Sequence, residues 1–349
     1  MINYLNNRTQ QVQYNDTLSD TLVVKCGVPQ GSILGPLLFL IYVNDITTTT
    51  KLFHPILYAD DTTLCAALNH NWSLSDCSKL NEELKDICKW MKLNKLTLNI
   101  AKTKAMIFHT VQRNVTYPPL LIDNVAIEFV QNFNFLGIIL NQHLKWGPHI
   151  EMIMKKVSKT TGVMKRIKNC LPTNALLNIY HALISPHLNY GVMIWGRNVG
   201  DILKMQKRVV RIITKSRYNA HTNQLFRRLR ILKIQDLCAL HDYKFCYRYE
   251  NSNLPEYFLS EMLQRNTHVH NLSARFEGTY RLPAVGHEYA RYCISYLFPK
   301  ISNEMDEDIK SKIYSLSLNE FKNYIKQLFF DSYDVECDDN DCPSCNNVG

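Results

Sequence analysis

The chain has 349 residues, which at about 150 residues per domain suggests two domains or three. Its 46% apolar and 20% charged residues exclude a mainly disordered or collagen-like chain. Its longest apolar stretch, residues 33–43, is broken by Gly35 and Pro36 and is too short for a bilayer, which needs about 20 residues. Residues 1–10 are polar, so we expect no signal peptide. The 11 cysteines are odd in number and lack framework spacing, which favours a reducing compartment.

The formal net charge of +9 is concentrated in the middle of the chain. Residues 142–233 hold 18 Lys and Arg but only two acids, Glu151 and Asp201. The rest of the chain is net negative, and much of that charge follows Ser302. So basic a segment predicts a polyanionic partner; the alternative is a solvated basic face that binds nothing.

The first 141 residues are expected to mix strands and helices. Residues 28–44 read as a loop followed by a buried helix, and residues 55–68 as a hairpin with polar residues 60–63 at its turn. Apolar residues at helical spacing over 80–93 predict a helix, with Leu80, Leu84 and Ile87 on one face. Strands are predicted at 104–109, 120–122, 126–130 and 133–140. Asp123 and Asn124 supply a tight turn between two of these strands.

The remainder is expected to be helical. Helices are predicted near residues 151–169, 173–184 and 201–214. The third has an apolar stripe of Ile202, Met205, Val209 and Ile212, with Lys204, Lys207, Arg208 and Arg211 mostly off it. Residues 235–330 read as mostly helical, interrupted at Pro255, Pro283 and Pro299, and the acidic tail from Asp331 is expected to be mobile.

The first motif that indicates chemistry is Tyr58-Ala59-Asp60-Asp61. Two adjacent carboxylates at a turn repel each other unless a positive charge holds them. Oxygen ligands with open coordination positions suit Mg²⁺ in phosphoryl chemistry. Taken alone, an Asp-Asp pair at a turn is more often a solvated turn.

The second motif is the loop Gly27-Val28-Pro29-Gln30-Gly31-Ser32-Ile33-Leu34-Gly35-Pro36. Its glycines allow the backbone to pass close to another group, Pro29 stiffens the approach, and Gln30 offers both donors and acceptors. Such a loop could hold a nucleotide. Taken alone, such a loop is more often an ordinary Pro/Gly loop before a core helix.

In this order and spacing, the two motifs resemble the reverse transcriptase of non-LTR retrotransposons, in particular the jockey-like elements of animals. Further similar stretches follow at residues 98–104, 135–138, 183–196, 206–208 and 229–237. The resemblance covers nearly the whole chain to about Asp331. It implies an α+β fold: a partial reverse-transcriptase palm, an antiparallel sheet with helices, at 1–141. A basic helical thumb or connection (142–234), a helical C-terminal region (235–330) and the acidic tail (331–349) follow.

The resemblance also implies roles for single residues. Asp60 becomes the principal catalytic ligand of a two-metal Mg²⁺ site and Asp61 supports it, while Lys102 either approaches the triphosphate or protonates the pyrophosphate. Pro29, Gln30, Gly31 and Tyr58 form the nucleotide-binding group, with Tyr58 near the primer end. Phe135, Leu136 and Gly137 form the turn that grips the primer. Template and primer phosphates are then tracked by Lys155, Lys156, Lys159, Lys165, Arg166, Lys207, Arg208 and Arg211.

Several of these residues also have simpler interpretations. Lys102 could be a solvated lysine, and Gly137 could only mark a bulge. Tyr190 and Trp195 could stack on bases, but packing between helices is the stronger expectation for both.

The pattern departs from the family at one point. The family has an earlier palm strand with a third catalytic Asp, and nothing in residues 1–26 fits it. Asp16 and Asp20 lie in a polar turn and do not replace it. Two carboxylates from one turn cannot hold both metals in the geometry of in-line transfer. We therefore expect Met1 to fall partway into the palm, with fingers and endonuclease portions absent, and this chain alone to have little activity.

The tail contains Cys337, Cys342 and Cys345, one ligand short of the usual structural zinc site and with no nearby His. We expect a reduced tail rather than a zinc site.

The sequence thus predicts the C-terminal part of an RNA-directed DNA polymerase that uses an RNA template, a DNA primer and deoxynucleoside triphosphates, with no membrane partner. The main alternative is a non-catalytic remnant that binds nucleic acid through its basic helices. An unstable relic is a further alternative, and a phosphatase using Asp60 and Asp61 is disfavoured because no other metal ligands cluster with them. We expect the protein in the nucleus, the cytoplasm or both, as part of a retroelement particle.

Overall fold

The computed structural model describes residues 2–68, 74–113, 118–197, 199–256, 258, 263, 265–266, 279–286 and 288–333. The chain divides into two compact units between Gln131 and Asn132. Helices and short, mainly antiparallel strand pairs make it an α+β protein, as predicted.

The first unit opens with a short helix and two strand pairs and continues through a central hairpin. Its helices and 3₁₀ segment are α1 (Ile2–Leu5), α2 (Leu34–Val43), the 3₁₀ turn Asn44–Thr49 and α3 (Leu74–Leu93). Its strands are β1 (Thr9–Gln10), β2 (Gln13–Tyr14), β3 (Thr17–Leu18), β4 (Leu22–Val23), β5 (His54–Tyr58), β6 (Asp61–Cys65), β7 (Lys104–Ala105), β8 (Leu121–Ile122), β9 (Val125–Ala126) and β10 (Glu128–Phe129). All pair antiparallel with a neighbour except β7 and β10, which are parallel.

The core of this unit forms on one face of α3. Leu84 and Cys88 pack with Ile122 and Ile127, and the helix predicted at residues 80–93 is confirmed. The turn at Asp123 and Asn124 is also confirmed, and both residues have the positive φ that a tight hairpin turn requires.

Three strand predictions were wrong in extent. The strand expected at 104–109 is only Lys104–Ala105, and the one expected at 126–130 is divided between Val125–Ala126 and Glu128–Phe129, which pair with different strands. The single strand expected at 133–140 is a hairpin, because Leu136 and Gly137 have φ of 47° and 84° and reverse the chain. The predicted turn at residues 60–63 is shorter, since only Ala59 and Asp60 lie between the paired Tyr58 and Asp61.

Helix α2 forms as predicted but is not buried. Gly35 and Val43 are buried, whereas Leu37, Leu40 and Ile41 are 46–65% exposed. The helix is apolar on all sides, so its sequence contains no polar face to mark which side meets solvent. Within the described residues, the core cluster beside α3 includes no residue of α2.

The second unit begins with a hairpin and continues in helices. The hairpin strands are β11 (Asn132–Phe135) and β12 (Ile138–Asn141). The helices are α4 (Gly147–Ile167), α5 (Thr173–Leu183), α6 (Ser185–Asn189), α7 (Val192–Trp195), α8 (Gly200–Ile213), α9 (Asn223–Leu229), α10 (Ile234–Glu250), α11 (Ile294–Glu304), α12 (Glu307–Ser315) and α13 (Leu318–Ser332), with a 3₁₀ segment at Glu288–Tyr292.

One continuous hydrophobic core connects these helices. The predicted stripe of α8 faces it: Ile202 and Val209 are buried, and Met205 packs against it. Trp195 is fully buried, which confirms its expected packing role, whereas Tyr190 is 55% exposed, so the expectation of core packing for Tyr190 was wrong. A buried Gln206 on α8 donates to Leu232 O at 2.8 Å and accepts from Ile234 N at 2.9 Å, which satisfies the buried polar groups there.

The C-terminal region is helical at α10 to α13. The expected interruption at Pro299 was wrong, since Pro299 is buried inside α11 and the helix continues through it. Cys337, Cys342 and Cys345 lie outside the described residues. No helix in the described part of the chain combines the length and apolar character needed to cross a membrane.

Glu83 on α3 fixes the entry to the β5–β6 hairpin. Its carboxylate accepts a hydrogen bond from Thr50 Oγ1 and others from the backbone N–H groups of Lys51 and Leu52, both at 3.0 Å. Burial raises the pKa of Glu83, but these hydrogen bonds outweigh it and hold the pKa below its usual value. A group with a lowered pKa stabilises the fold above its unfolded pKa and loses that effect as pH falls.

We predict that Glu83→Ala lowers the free energy of unfolding by about 1–3 kcal/mol, because two backbone donors lose a charged acceptor. The matched control is Glu82→Ala, an exposed neighbour on the same helix. Urea unfolding of both variants measures the effect, and the difference between Glu83→Ala and the unsubstituted protein should shrink as pH falls below about 4.5. Equal unfolding midpoints for the two variants at pH 7 contradict the assignment.

Candidate metal and nucleic-acid site

The hairpin between β5 and β6 holds the paired carboxylates at its tip. Tyr58 pairs directly with Asp61, so the turn has only two residues, Ala59 and Asp60. Ala59 has φ of 50°, a left-handed conformation that costs a non-glycine residue on the order of 1 kcal/mol. Directly paired residues project from the same face, so Tyr58 and Asp61 lie together beside Asp60.

Both carboxylates are exposed to solvent. Among the described residues, neither the Asp60 nor the Asp61 carboxylate takes part in a hydrogen bond or an ion pair, so no side chain there offsets the repulsion between the two carboxylates. Two adjacent carboxylates with open coordination positions match the oxygen preference of a hard divalent cation.

The number of ligands is short of a complete site. In the part of the chain that the structure describes, no group of three or more His, Cys, Asp or Glu residues could hold a metal. Asp16 lies in the β2–β3 turn and Asp20 follows it, both exposed, in line with the sequence analysis. The Asp60–Asp61 turn alone therefore does not make a complete metal site.

The glycine-rich loop before α2 is held by its own hydrogen bonds. Ser32 Oγ donates to Pro29 O at 2.7 Å and accepts from Gly35 N at 3.1 Å, which caps the start of the helix. Gly27 and Gly31 have φ of 81° and 79°, which an L side chain rarely adopts. The loop conformation therefore depends on glycine at both positions.

The side chain of Gln30 projects from this loop into solvent, beside the exposed Pro29 and Gly31. Within the described chain, the Gln30 amide has no hydrogen-bond partner. A Cβ at Gly31 would meet nothing within 4 Å, so the loop surface at Gln30 and Gly31 is open. An open loop with a free amide can accept a ligand without first breaking an internal contact.

Lys102 lies on a turn built by Asn99. The Asn99 side-chain oxygen accepts a hydrogen bond from Lys102 N at 3.2 Å. The backbone carbonyl of Asn99 accepts another from Thr103 Oγ1 at 3.0 Å. The Lys102 side chain is exposed, while the nearby Lys104 pairs with Glu128 at 2.5 Å. Lys102 thus stays available to an anion.

In the second unit, the turn at Leu136–Gly137 is held from one side by Tyr190. The Tyr190 hydroxyl donates to the carbonyl of Leu136. A Cβ at Gly137 would lie 3.3 Å from Tyr190 Cε1, at a φ that already disfavours a side chain. The turn therefore needs glycine both for its conformation and for the close approach of the ring.

Gly191 allows the β11–β12 hairpin to lie close to the segment between α6 and α7. Gly191 has φ of 63°, and a Cβ there would be 2.5 Å from Ile138 Cδ1. Trp195 Nε1 donates to Tyr190 O at 2.9 Å, which fixes the segment that carries the tyrosine. The stretch 183–196 thus acts as a support for the turn.

His149 on α4 supplies a third attachment for the hairpin. Its Nδ1 accepts from Ile139 N at 3.2 Å, and its ring lies 5.4 Å from that of Trp195. An accepting Nδ1 places the proton on Nε2, which is buried and has no partner among the described residues. Burial and the charge of Lys156 lower the pKa of His149, so the ring stays neutral near pH 7.

The basic residues of α4 face away from the core. Lys155, Lys159 and Arg166 lie opposite the buried face of the helix, and Lys156 and Lys165 flank them; all five are exposed. Lys155 pairs with Glu151 at 2.7 Å, an exposed pair of small energy. The helix therefore presents a positively charged line to solvent.

The three basic residues of α8 that were predicted to contact phosphates differ from the cations of α4. Lys207 is 7% exposed, which leaves little of it within reach of a phosphate. Arg211 is half-buried and donates through Nε to Ala220 O at 2.9 Å, whereas Arg208 is exposed. Of these three residues, Arg208 is the one placed to meet a polyanion.

Sequence reasoning missed the support beneath the Leu136–Gly137 turn. Tyr190 lies 54 residues along the chain from Leu136 and His149 ten residues from Ile139, and no local pattern marks either contact. The one available signal was Gly191, since a glycine within an apolar helical stretch indicates a close approach.

Comparisons with known proteins show which family the first part of the chain resembles. A family model described as reverse transcriptase (RNA-dependent DNA polymerase) matches residues 2–140, which include the glycine-rich loop, both carboxylates and the Leu136–Gly137 turn. Residues 2–140 thus match the reverse transcriptase family, and the resemblance to non-LTR retrotransposon enzymes is confirmed. The relatives described next are named RNA-directed DNA polymerases. No solved structure matches the chain significantly.

Relatives from transposons match beyond that domain. The probable RNA-directed DNA polymerase from transposon BS of Drosophila melanogaster is 26% identical over 261 residues, 70% of this chain and 28% of that protein. The RNA-directed DNA polymerase from mobile element jockey of the same species is 27% identical over 67% of this chain and 26% of its own length. A Pol polyprotein from type-1 retrotransposable element R1 of Bradysia coprophila is 22% identical over half of this chain. The chain thus spans little more than a quarter of the first two relatives.

We predict that Tyr190→Phe loosens the Leu136–Gly137 turn, because one hydrogen bond of about 1 kcal/mol is lost. Amide hydrogen exchange over residues 132–141 should speed up, while exchange in α8 stays unchanged. The control is Tyr218→Phe, since Tyr218 is 89% exposed. Unchanged exchange in the hairpin of Tyr190→Phe contradicts the support role.

We predict that the unfolding free energy falls as pH drops below about 6.5, the unfolded pKa of histidine. A base with a lowered folded pKa favours the folded state only while neutral, so acid removes its contribution. Burial lowers the pKa of His149, His187 and His241 alike. Urea titrations at pH 7 and pH 5 should show a smaller loss for His149→Gln than for the unsubstituted protein; an equal loss contradicts the role of His149.

Proposed function

We propose that this chain is the C-terminal part of the reverse transcriptase of a non-LTR retrotransposon. Residues 1–141 form a partial palm, residues 142–234 a basic thumb or connection, and residues 235–330 a helical C-terminal region. The observation that carries the proposal is the β5–β6 turn, which presents Asp60 and Asp61 together, exposed and without an ion pair among the described residues.

In this proposal Asp60 and Asp61 hold divalent metal, for which Mg²⁺ is the natural ion given their oxygen ligands. Bound metal stabilises the attacking and leaving oxygens of nucleotidyl transfer. Gln30 and the open backbone at Gly31 contact the incoming deoxynucleoside triphosphate, on a loop that Pro29 stiffens. Lys102 offers a positive charge to the triphosphate, and Tyr58 packs near the primer end.

The second unit holds the nucleic acid in this proposal. Phe135, Leu136 and Gly137 form the turn that contacts the primer backbone, and Tyr190 keeps that turn in shape. The exposed cations of α4 and Arg208 contact phosphates of the RNA template and DNA primer. Each phosphate contact releases counterions, so the affinity should fall steeply with salt.

We further propose that this chain alone polymerises little or no DNA. The described residues supply two carboxylates from one turn, and in-line transfer between two metals needs further ligands on another element. The relatives named Pol polyproteins fit a protein in which other segments supply them.

A second function is favoured by the exposed cations of α4: a non-catalytic remnant that holds nucleic acid. It requires the basic helices but neither Asp60 nor Asp61. The metal-binding test below separates the two functions.

We predict that the full chain binds Mn²⁺, a spectroscopic substitute for Mg²⁺, and that Asp60→Asn with Asp61→Asn removes this binding. Electron paramagnetic resonance of free Mn²⁺ measures it. The matched control is Asp16→Asn with Asp20→Asn, which removes two exposed acids from another turn of the same unit. If both double variants lose Mn²⁺ binding equally, or neither does, the Asp60–Asp61 turn is not a metal site and the remnant function stands.

We predict no primer extension by the chain alone with Mg²⁺, an RNA template and a DNA primer. Robust synthesis that Asp60→Asn abolishes overturns the proposal of inactivity and supports the catalytic pair.

A further inference from the structure

The helices α10 and α13 carry basic side chains on neighbouring positions. They pack together through Tyr243 on Phe329 and Tyr247 on Phe321, with ring centroids 6.4 Å and 5.1 Å apart. These contacts run in opposite order along the two helices, so the helices are antiparallel. Beside this seam lie Lys244 and Arg248 of α10 and Lys322 and Lys326 of α13, which with His241 we term the α10–α13 basic face.

The spacing within each helix keeps these residues on one side. His241, Lys244 and Arg248 recur at three and four residues, and Lys322 and Lys326 are four apart. At 1.5 Å per residue, the α10 set spans about 10 Å and the α13 pair about 6 Å. The three lysines are half-buried, so their stems cover the seam while their charges can reach solvent.

No acid of these two helices neutralises the face. The carboxylates of α10 are engaged elsewhere: Asp236 accepts from the Tyr333 hydroxyl, Asp242 pairs with Arg197 at 2.7 Å, and Glu250 accepts from Tyr280 at 2.5 Å. On α13, Glu320 caps its own helix and Asp331 accepts from Gln327 at 2.7 Å. Within the described residues, the four cations have no acidic partner.

The cations act on one another instead. Burial and the charges of Lys322, Arg248 and Lys326 lower the pKa of Lys244, and burial with Lys322 and Arg230 lowers that of Lys326. Burial, together with Lys244, Lys322 and Arg248, lowers the pKa of His241 to about 4, so His241 is a neutral hydrogen-bonding group at pH 7. The positive charges of the face therefore repel one another, and a bound polyanion would reduce this repulsion.

The lining of the face also restricts the kind of partner. Protein interfaces depend on apolar and aromatic anchors at their centre, and membrane surfaces on exposed apolar residues. None of the face residues is apolar, and the exposed large apolar residue of α13, Leu328, projects from another side of the helix. Charges without apolar anchors fit the phosphates of a nucleic-acid backbone.

We propose that the α10–α13 basic face is a second phosphate-binding surface for nucleic acid, separate from the basic line of α4. It lies outside residues 2–140 and outside the basic segment 142–233, in a part of the chain that is net negative. The inference concerns binding and does not require the Asp60–Asp61 site to be active.

The test uses the full chain and two labelled probes, a 25-nucleotide single-stranded RNA and an RNA–DNA hybrid of the same length. Fluorescence anisotropy at several KCl concentrations gives the affinity and its salt dependence. The test variant is Lys244→Gln/Lys322→Gln/Lys326→Gln. The matched control, Lys79→Gln/Lys85→Gln/Lys89→Gln, removes equal charge from the exposed side of α3.

We expect the test variant to bind the hybrid at least about tenfold more weakly at 0.1 M salt, with a slope of log affinity against log salt that is shallower by about 2–3. The control should change neither by more than a small amount. A variant with Lys→Arg at the same three positions should keep the affinity. Misfolding is ruled out as the cause if the Arg variant keeps its affinity and the Gln variant unfolds at the same temperature as the unsubstituted protein.

Several outcomes overturn the inference. One is a test variant that matches the control in affinity and slope, and another is an unsubstituted chain that binds neither probe. A third is competition by polyglutamate of equal charge as strong as that by RNA, which assigns the face to an acidic polypeptide. If only the variant Lys155→Gln/Lys159→Gln/Arg166→Gln loses binding, the α4 interface of the proposed function stands and the inference about the α10–α13 basic face is wrong. If only the α10–α13 variant loses binding, that inference stands and the α4 interface is wrong.

Discussion

The constraint on which this account rests is the two-residue turn between β5 and β6. Pairing of Tyr58 with Asp61 leaves only Ala59 and Asp60 to reverse the chain, and Ala59 accepts a left-handed φ of 50° to do so. Two negative charges are then adjacent and exposed, an arrangement that favours a bound cation. Under the proposed function, a divalent cation bound at this turn offsets the repulsion between the two carboxylates.

The rest of each unit serves to hold such turns in place. Glu83 fixes the approach to β5 by accepting hydrogen bonds from the chain just before it. In the second unit, Tyr190, Gly191 and His149 approach the β11–β12 hairpin closely. In both units a short hairpin is fixed by residues outside it: Glu83 and His149 lie on the long helices α3 and α4, and Tyr190 and Gly191 lie between α6 and α7.

Sequence reasoning succeeded where the signal is local. The stripe of α3, the Asp123–Asn124 turn and the β5–β6 hairpin follow from spacing and turn chemistry. It failed for α2, because a helix that is apolar on every side carries no mark of which side is covered. The Tyr190 contact and the α10–α13 basic face were not found because each joins residues more than 50 positions apart, which only the folded chain brings together.

The exposed cations also could not be identified from the sequence alone. The sequence indicated one basic segment, and the structure separates its residues into exposed cations on α4 and a nearly buried Lys207 on α8. It also shows that a net-negative region contains a face of four cations, since its acids are engaged in other contacts. The net charge of a sequence segment is therefore a weaker guide to a nucleic-acid surface than knowing which cations are exposed and which are paired with acids.

The most direct test of the central claim is anomalous diffraction from crystals of the full chain soaked in Mn²⁺. The account predicts an anomalous peak about 2.1 Å from carboxylate oxygens of Asp60 and Asp61. Peaks at other acids with none at the β5–β6 turn would contradict it.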